Sequence, residues 1–78
     1  MDVYEVYMEG FVTNEASCGA SYIGYGRGDN FVEAAKNACI KRFGEKSTEK
    51  FFQIYDGRPF YWGCEMFDNY EEAAKNFG

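Results

Sequence analysis

Residues 29–37 read DNFVEAAKN, and residues 68–76 read DNYEEAAKN; the two phrases differ only where Phe31 and Val32 give way to Tyr70 and Glu71. In each, an Asn stands three residues before an acid, Asn30 before Glu33 and Asn69 before Glu72. That is the arrangement in which an N-cap side chain accepts a hydrogen bond from a free amide of the first turn while the acid complements the helix dipole. The first helix carries an apolar stripe of Val32, Ala35, Cys39 and Phe43, flanked by Phe31, Ala38 and Ile40, and Gly44 closes it. The second repeats the stripe with Tyr70, Ala73, Ala74 and Phe77, and both helices end on Phe-Gly.

Working outward, each phrase follows a strand pair. Residues 3–12 alternate, with Tyr4, Val6, Met8 and Val12 on one side and Glu5, Tyr7, Glu9 and Phe11 on the other. After the polar turn TNEAS, residues 18–25 read as a second strand carrying Tyr22 and Ile23. Past the polar connector GEKSTEK, a strand FFQIY, a tight turn at Asp56, Gly57, Arg58 and Pro59, and a strand FYWGCEMF form another hairpin. The chain therefore reads as one domain over 1–78 with an internal repeat, a ββα unit at 1–44 and another at 51–78. Neither unit buries its apolar face alone, so the two must stack. The expected fold is α+β, a two-layer sandwich in which a four-stranded antiparallel sheet carries both helices on one face.

With 46% hydrophobic and 21% aromatic residues, a chain of 78 residues fills one core without staples. Its formal charge of −5, from thirteen acidic and eight basic residues, repels a polyphosphate backbone, so generic nucleic-acid binding is disfavoured; an acidic surface suits solubility, as in many intracellular domains, or a basic protein surface that normally receives nucleic acid. Cys18, Cys39 and Cys64 are odd in number and widely spaced, which suits reduced thiols rather than a disulfide framework or a CxxC metal pair. The start MDVYEVYMEG lacks the apolar centre of a signal peptide, and no run is long enough to span a bilayer; a cytoplasmic protein with no membrane role is expected.

No histidine is present, which removes the commonest general base, the usual partner of a Ser or Cys nucleophile and the commonest metal ligand. Glu71 and Glu72 are adjacent on a helix and diverge, so they do not form a catalytic pair. GYGRGD, residues 24–29, has glycines before a helix N-terminus, yet the dinucleotide spacing fails and Asp29 stands where a phosphate would sit; a strand-to-helix turn is the expectation. Arg27, Gly28 and Asp29 also spell the integrin tripeptide, which finds no use in a chain read as cytoplasmic. No catalytic residue, cofactor or metal is assigned.

The sheet's second face is the more informative surface. If the helices cover Val6, Met8, Ile54, Phe60, Trp62 and Met66, the other side presents Tyr7, Phe11, Phe51, Tyr55, Tyr61 and Phe67 among Glu5, Glu9, Gln53 and Glu65. So many rings on a solvated face mark an interaction site, with Tyr and Phe as anchors and the acids setting polarity. The same rings would serve a single-stranded RNA module, or a homodimer packing face to face.

One resemblance bears on the choice. In MDVYEVYMEGFVTNEAS, Asp2, Val3 and Val6, Gly10 followed by Phe11, and Asn14-Glu15 are similar to the opening of the Dmd family of T-even phage antitoxins, over about the first sixteen residues. It implies the class of small early phage proteins that bind and block one host protein in the host cytoplasm. The reading is thus a non-enzymatic, antitoxin-like inhibitor or modulator of a host factor, used in counter-defence or host takeover and acting by occlusion. Its expected contact residues are Tyr7, Phe11, Phe51, Tyr55, Tyr61, Phe67, Glu5, Glu9 and Glu65.

Overall fold

The computed structural model describes residues 2–12 and 17–77, with side chains for 2–10 and 19–75. Strand β1 (Asp2–Met8) pairs antiparallel with β4 (Ser21–Gly28), and between them β2 (Phe11–Val12) and β3 (Ser17–Cys18) form a separate two-stranded ribbon. Helix α1 (Phe31–Phe43) and helix α2 (Glu45–Phe51) then carry the chain to the far edge of the sheet. From there β5 (Phe52–Tyr55), β6 (Arg58–Tyr61) and β7 (Cys64–Phe67) meander back, and β7 docks antiparallel on β1 before helix α3 (Tyr70–Phe77). The sheet is five-stranded, in the order β4-β1-β7-β6-β5.

The fifth strand comes from FYWGCEMF, which is a hairpin and not one strand. Trp62 and Gly63 have φ of 55° and 83°, as Asp56 and Gly57 have 54° and 74° at the preceding turn. Both are two-residue turns of the mirror-image kind that matches strand twist. A bulky Trp in the left-handed region is unfavourable in isolation, which is why its letters give no turn signal. The consequence is a change of phase. A two-residue turn sets Tyr61 opposite Cys64, so these two share a face that a continuous strand would have split. Tyr61 turns into the core and Phe60 turns away, while Cys64 and Met66 keep the inward side and Glu65 and Phe67 the outward side expected of them.

The polar connector is also structured. GEKSTEK begins on Gly44, whose φ of 95° ends α1, and Thr48 turns inward, 1% exposed, with its hydroxyl donating to Gly44 O at 2.8 Å. Glu and Lys are good helix formers, but with Thr48 alone buried the segment shows no apolar stripe to betray it.

Helix α1 lies directly on the β4 backbone. A Cβ added at Gly26 would come within 1.9 Å of Ala34 O, and one at Gly28 within 2.7 Å of Ala34 N. GYGRG is therefore strand with glycines on its helix side, not a turn. The close approach buries Ala34, Ala35, Ala38 and Cys39, and the core continues through Val6, Ile23, Tyr61 and Met66 to the partly buried Met8, Phe31, Phe43, Phe51 and Phe52. Burying each large member contributes about 1.5–3 kcal/mol.

Helix α3 covers the other face. Tyr7 alternates with Val6 and Met8, which face α1, and the ring of Tyr70 meets Tyr7 edge-on at 6.2 Å. Ala73 is buried there and is not part of the main core. The expectation of both helices on one side is thus corrected, and with it the duplication: a 13-residue helix on one face and an 8-residue helix on the other do not repeat a ββα unit. The repeated phrase makes the same local cap, Glu33 N to Asn30 Oδ1 at 2.9 Å and Glu72 N to Asn69 Oδ1 at 2.8 Å, in two unlike settings.

Candidate functional site

The residues expected on the second sheet face divide into three groups. Glu5, Tyr7, Tyr55, Glu65 and Phe67 do lie on it. Tyr61 does not: it is 6% exposed, stacks on Phe43 at 4.5 Å between centroids, and shares a hydrogen bond with Ser47. Phe51 closes α2 and packs on the core between Tyr61 and Trp62. The hairpin phase described above explains the first correction and the unrecognised helix the second. Phe11 belongs to β2, and its side chain lies outside the described residues.

Two of the acids expected on the face, Glu9 and Glu65, are structural. Glu9 N donates to Glu65 O at 2.9 Å and Glu9 Oε2 accepts from Glu65 N at 2.6 Å, so Glu9 extends the β1–β7 ladder with its own side chain. Glu65 receives Arg58 at 3.3 Å. Phe67 is half-buried beside α3, and Tyr55, 74% exposed, sits at the far edge with Phe60 edge-on at 6.2 Å.

A tighter group forms around Tyr7. Its ring lies 5.1 Å from that of Tyr22 on β4 and 6.2 Å from that of Tyr70 on α3. A bulge makes this possible: β1 pairs Val6 with Gly24 but Tyr7 with Tyr22, leaving Ile23 as the extra residue, turned into the core. The bulge lets Tyr22 and Tyr25, three apart, look outward together, where an unbroken strand would oppose them. Gly24, with φ of 137°, takes the kink. Tyr22 and Tyr70 remain 49% and 53% exposed.

One acid stands at the group. Glu5, opposite Tyr25 in the ladder, is hydrogen-bonded to the Tyr22 side chain; that bond, with some desolvation and the Glu5 charge, pushes the Tyr22 phenol up to about 12. Glu71 and Glu72 follow Tyr70 in the first turn of α3. Sequence reading placed Tyr70 in the helix's buried stripe and left Tyr22 and Tyr25 unassigned. The one available signal was Gly24 inside a strand, which marks a bulge.

An open groove of about 710 Å³ lies where β6 and β7 splay, lined by Phe31, Val32, Pro59, Met66 and Phe67 with Arg58 at its rim. Pro59 has no N–H to extend the ladder beyond Phe60 and Glu65. Arg58 is already paired, to Asp56 at 3.6 Å and to Glu65. Burial pushes the Cys39 thiol up to about 12, so it is not a nucleophile. Among the described residues, no three Cys, Asp or Glu side chains converge as metal ligands, and no helix is long and apolar enough to cross a membrane. What the arrangement offers is a surface, aromatic and acidic, on a rigid sheet.

Comparison of the chain with family models, with curated proteins and with solved structures finds no match in any of the three.

Proposed function

We propose that this chain is a non-enzymatic binding protein that blocks a host factor by covering a basic surface on it. One observation carries the reading: Tyr7, Tyr22 and Tyr70 are gathered from two strands and a helix onto one outward face, with Glu5 hydrogen-bonded to the Tyr22 side chain. Tyrosines supply large, stiff contact area with a polar tip, and neighbouring acids steer a basic partner and fix its orientation. Counter-defence or host takeover of the kind expected from the N-terminal resemblance is the setting that suits such a protein.

A single-stranded RNA module is the less supported alternative, because a carboxylate, Glu5, stands at Tyr22 and the chain as a whole carries −5, which repels a phosphate backbone. The test uses the tagged chain as bait in bacterial lysate, beside Tyr22→Ala and Tyr70→Ala. A saturable partner held by the wild type, released by raised salt and lost at least tenfold in both variants at unchanged Tm, is the expected result. Equal retention by both variants, or recovery of RNA alone in a nuclease-sensitive form, would overturn it.

A further inference from the structure

The two edges of the sheet are finished differently. At the β4 edge, the outward carbonyls of Arg27 and Tyr25 are occupied by α1: Asn37 Nδ2 donates to Arg27 O at 2.7 Å and Lys41 Nζ to Tyr25 O at 3.3 Å, with the ammonium 3.4 Å over the Tyr25 ring. Capping an edge in this way is a standard defence against strand addition.

Among the described residues, the β5 edge has no such cover. Its phase follows from the turn: Asp56-Gly57 makes Tyr55 and Arg58 the closing hydrogen-bonded pair, so Ile54 and Pro59 form a non-hydrogen-bonded pair, the place where proline fits. The bond from Trp62 N to Phe51 O at 3.1 Å keeps the same alternation. Ile54 and Phe52 therefore aim their backbone groups outward. Phe52 N is taken by Thr48 O at the end of α2, and among the described residues nothing bonds the outward N–H and C=O of Ile54. The Ile54 side chain is 61% exposed and that of Tyr55 74%.

We infer that a second copy of this chain docks antiparallel along β5, with Ile54 on the twofold axis. Two Ile54 residues facing each other exchange both of their outward bonds, and Phe52 O then meets Asp56 N–H of the partner copy. The alternative register, centred on Gln53, needs the Phe52 N–H that α2 already holds. Charge selects the same occupant. The chain carries −5 in total, but residues 45–58 balance Glu45, Glu49 and Asp56 against Lys46, Lys50 and Arg58, so this is where like copies approach without repulsion. The antiparallel arrangement also brings the Asp56 end of one strand to the Lys50 end of the other. Because the β4 edges are capped, pairing closes at two and does not propagate.

Four residues a side fall well short of the ~1,600 Å² of a standard interface, so the dimer is weak, with Kd on the order of 100 μM. Sedimentation velocity of the full chain from about 10 μM to 1 mM reads it directly. The expected result is a monomer at the low end and a dimer at the high end. Ile54→Lys, which adds a charge at an exposed position, should leave a monomer throughout, and Ile54→Pro, which deletes the outward donor without touching the β5–β6 ladder, should do the same. Tyr22→Ala should dimerise like the wild type, which separates this interface from the tyrosine face. A wild type that stays monomeric at the highest concentration, or a dimer that Ile54→Lys leaves intact, would overturn the inference.

Discussion

Helices α1 and α3 start from almost the same letters and end in unlike places. Both are capped by an Asn side chain three residues before an acid, yet α1 presses onto bare strand backbone through Ala34 and Ala38 while α3 rests on tyrosine and phenylalanine rings of the opposite face. The difference lies in what stands opposite. Glycines at 26 and 28 let a helix approach to backbone distance, and the large rings of Tyr7 and Phe67 hold a helix off. A shared phrase can therefore set a helix going without setting its address.

The contrast can be broken most severely at the close approach. Gly26→Ala should cost about 3 kcal/mol in urea unfolding, since its Cβ has no room beside the Ala34 carbonyl and must push α1 from the sheet. A loss under about 0.5 kcal/mol would mean that the helix does not sit as described.

Alkali probes the same layer. Cys39, on the buried side of α1, keeps its proton up to about 12 when folded, above the range of a thiol in an unfolded chain. Its contribution is present in full below the unfolded value of roughly 9 and is lost as the pH rises towards 12, by at most about 1.4 kcal/mol per pH unit. Cys39→Ala should flatten that part of the stability profile; an unchanged slope would acquit the thiol.

The caps sharpen the comparison at smaller scale. Asn30→Ala should lower global stability by about 1 kcal/mol, because α1 is built into the core. Asn69→Ala should cost a few tenths of a kcal/mol globally and show instead as faster amide exchange confined to α3, which packs at the periphery. Equal global losses would place both helices in one cooperative core. Smallest of all, Glu5→Gln should move the Tyr22 phenol down from about 12 towards the ordinary tyrosine value near 10 in a phenolate absorbance titration, without changing the other rings.

Much of this was readable beforehand and some was not, for reasons that attach to particular residues. The alternation of β1, with Val6 and Met8 in and Glu5 and Tyr7 out, came through because one face is buried and the period is two. The Asp56-Gly57 turn announced itself, and Trp62-Gly63 did not, since an indole at positive φ is held there by the pairing around it and not by preference. Missing that turn put Tyr61 on the surface and Phe60 in the core. The tyrosine group escaped for a similar reason: it needs the bulge at Ile23, a strand register and the position of α3 at once.

What the amino-acid order determined unaided were the features governed by contacts within about four residues: both Asn caps, the stop at Gly44, the Asp56-Gly57 turn and the inward side of β1. Tertiary structure alone decided which face each helix covers, that Glu45–Phe51 is helical, and which rings look outward. Those choices depend on volume and pairing between segments distant in the chain, where a glycine on one strand and an alanine on a helix matter only once they meet.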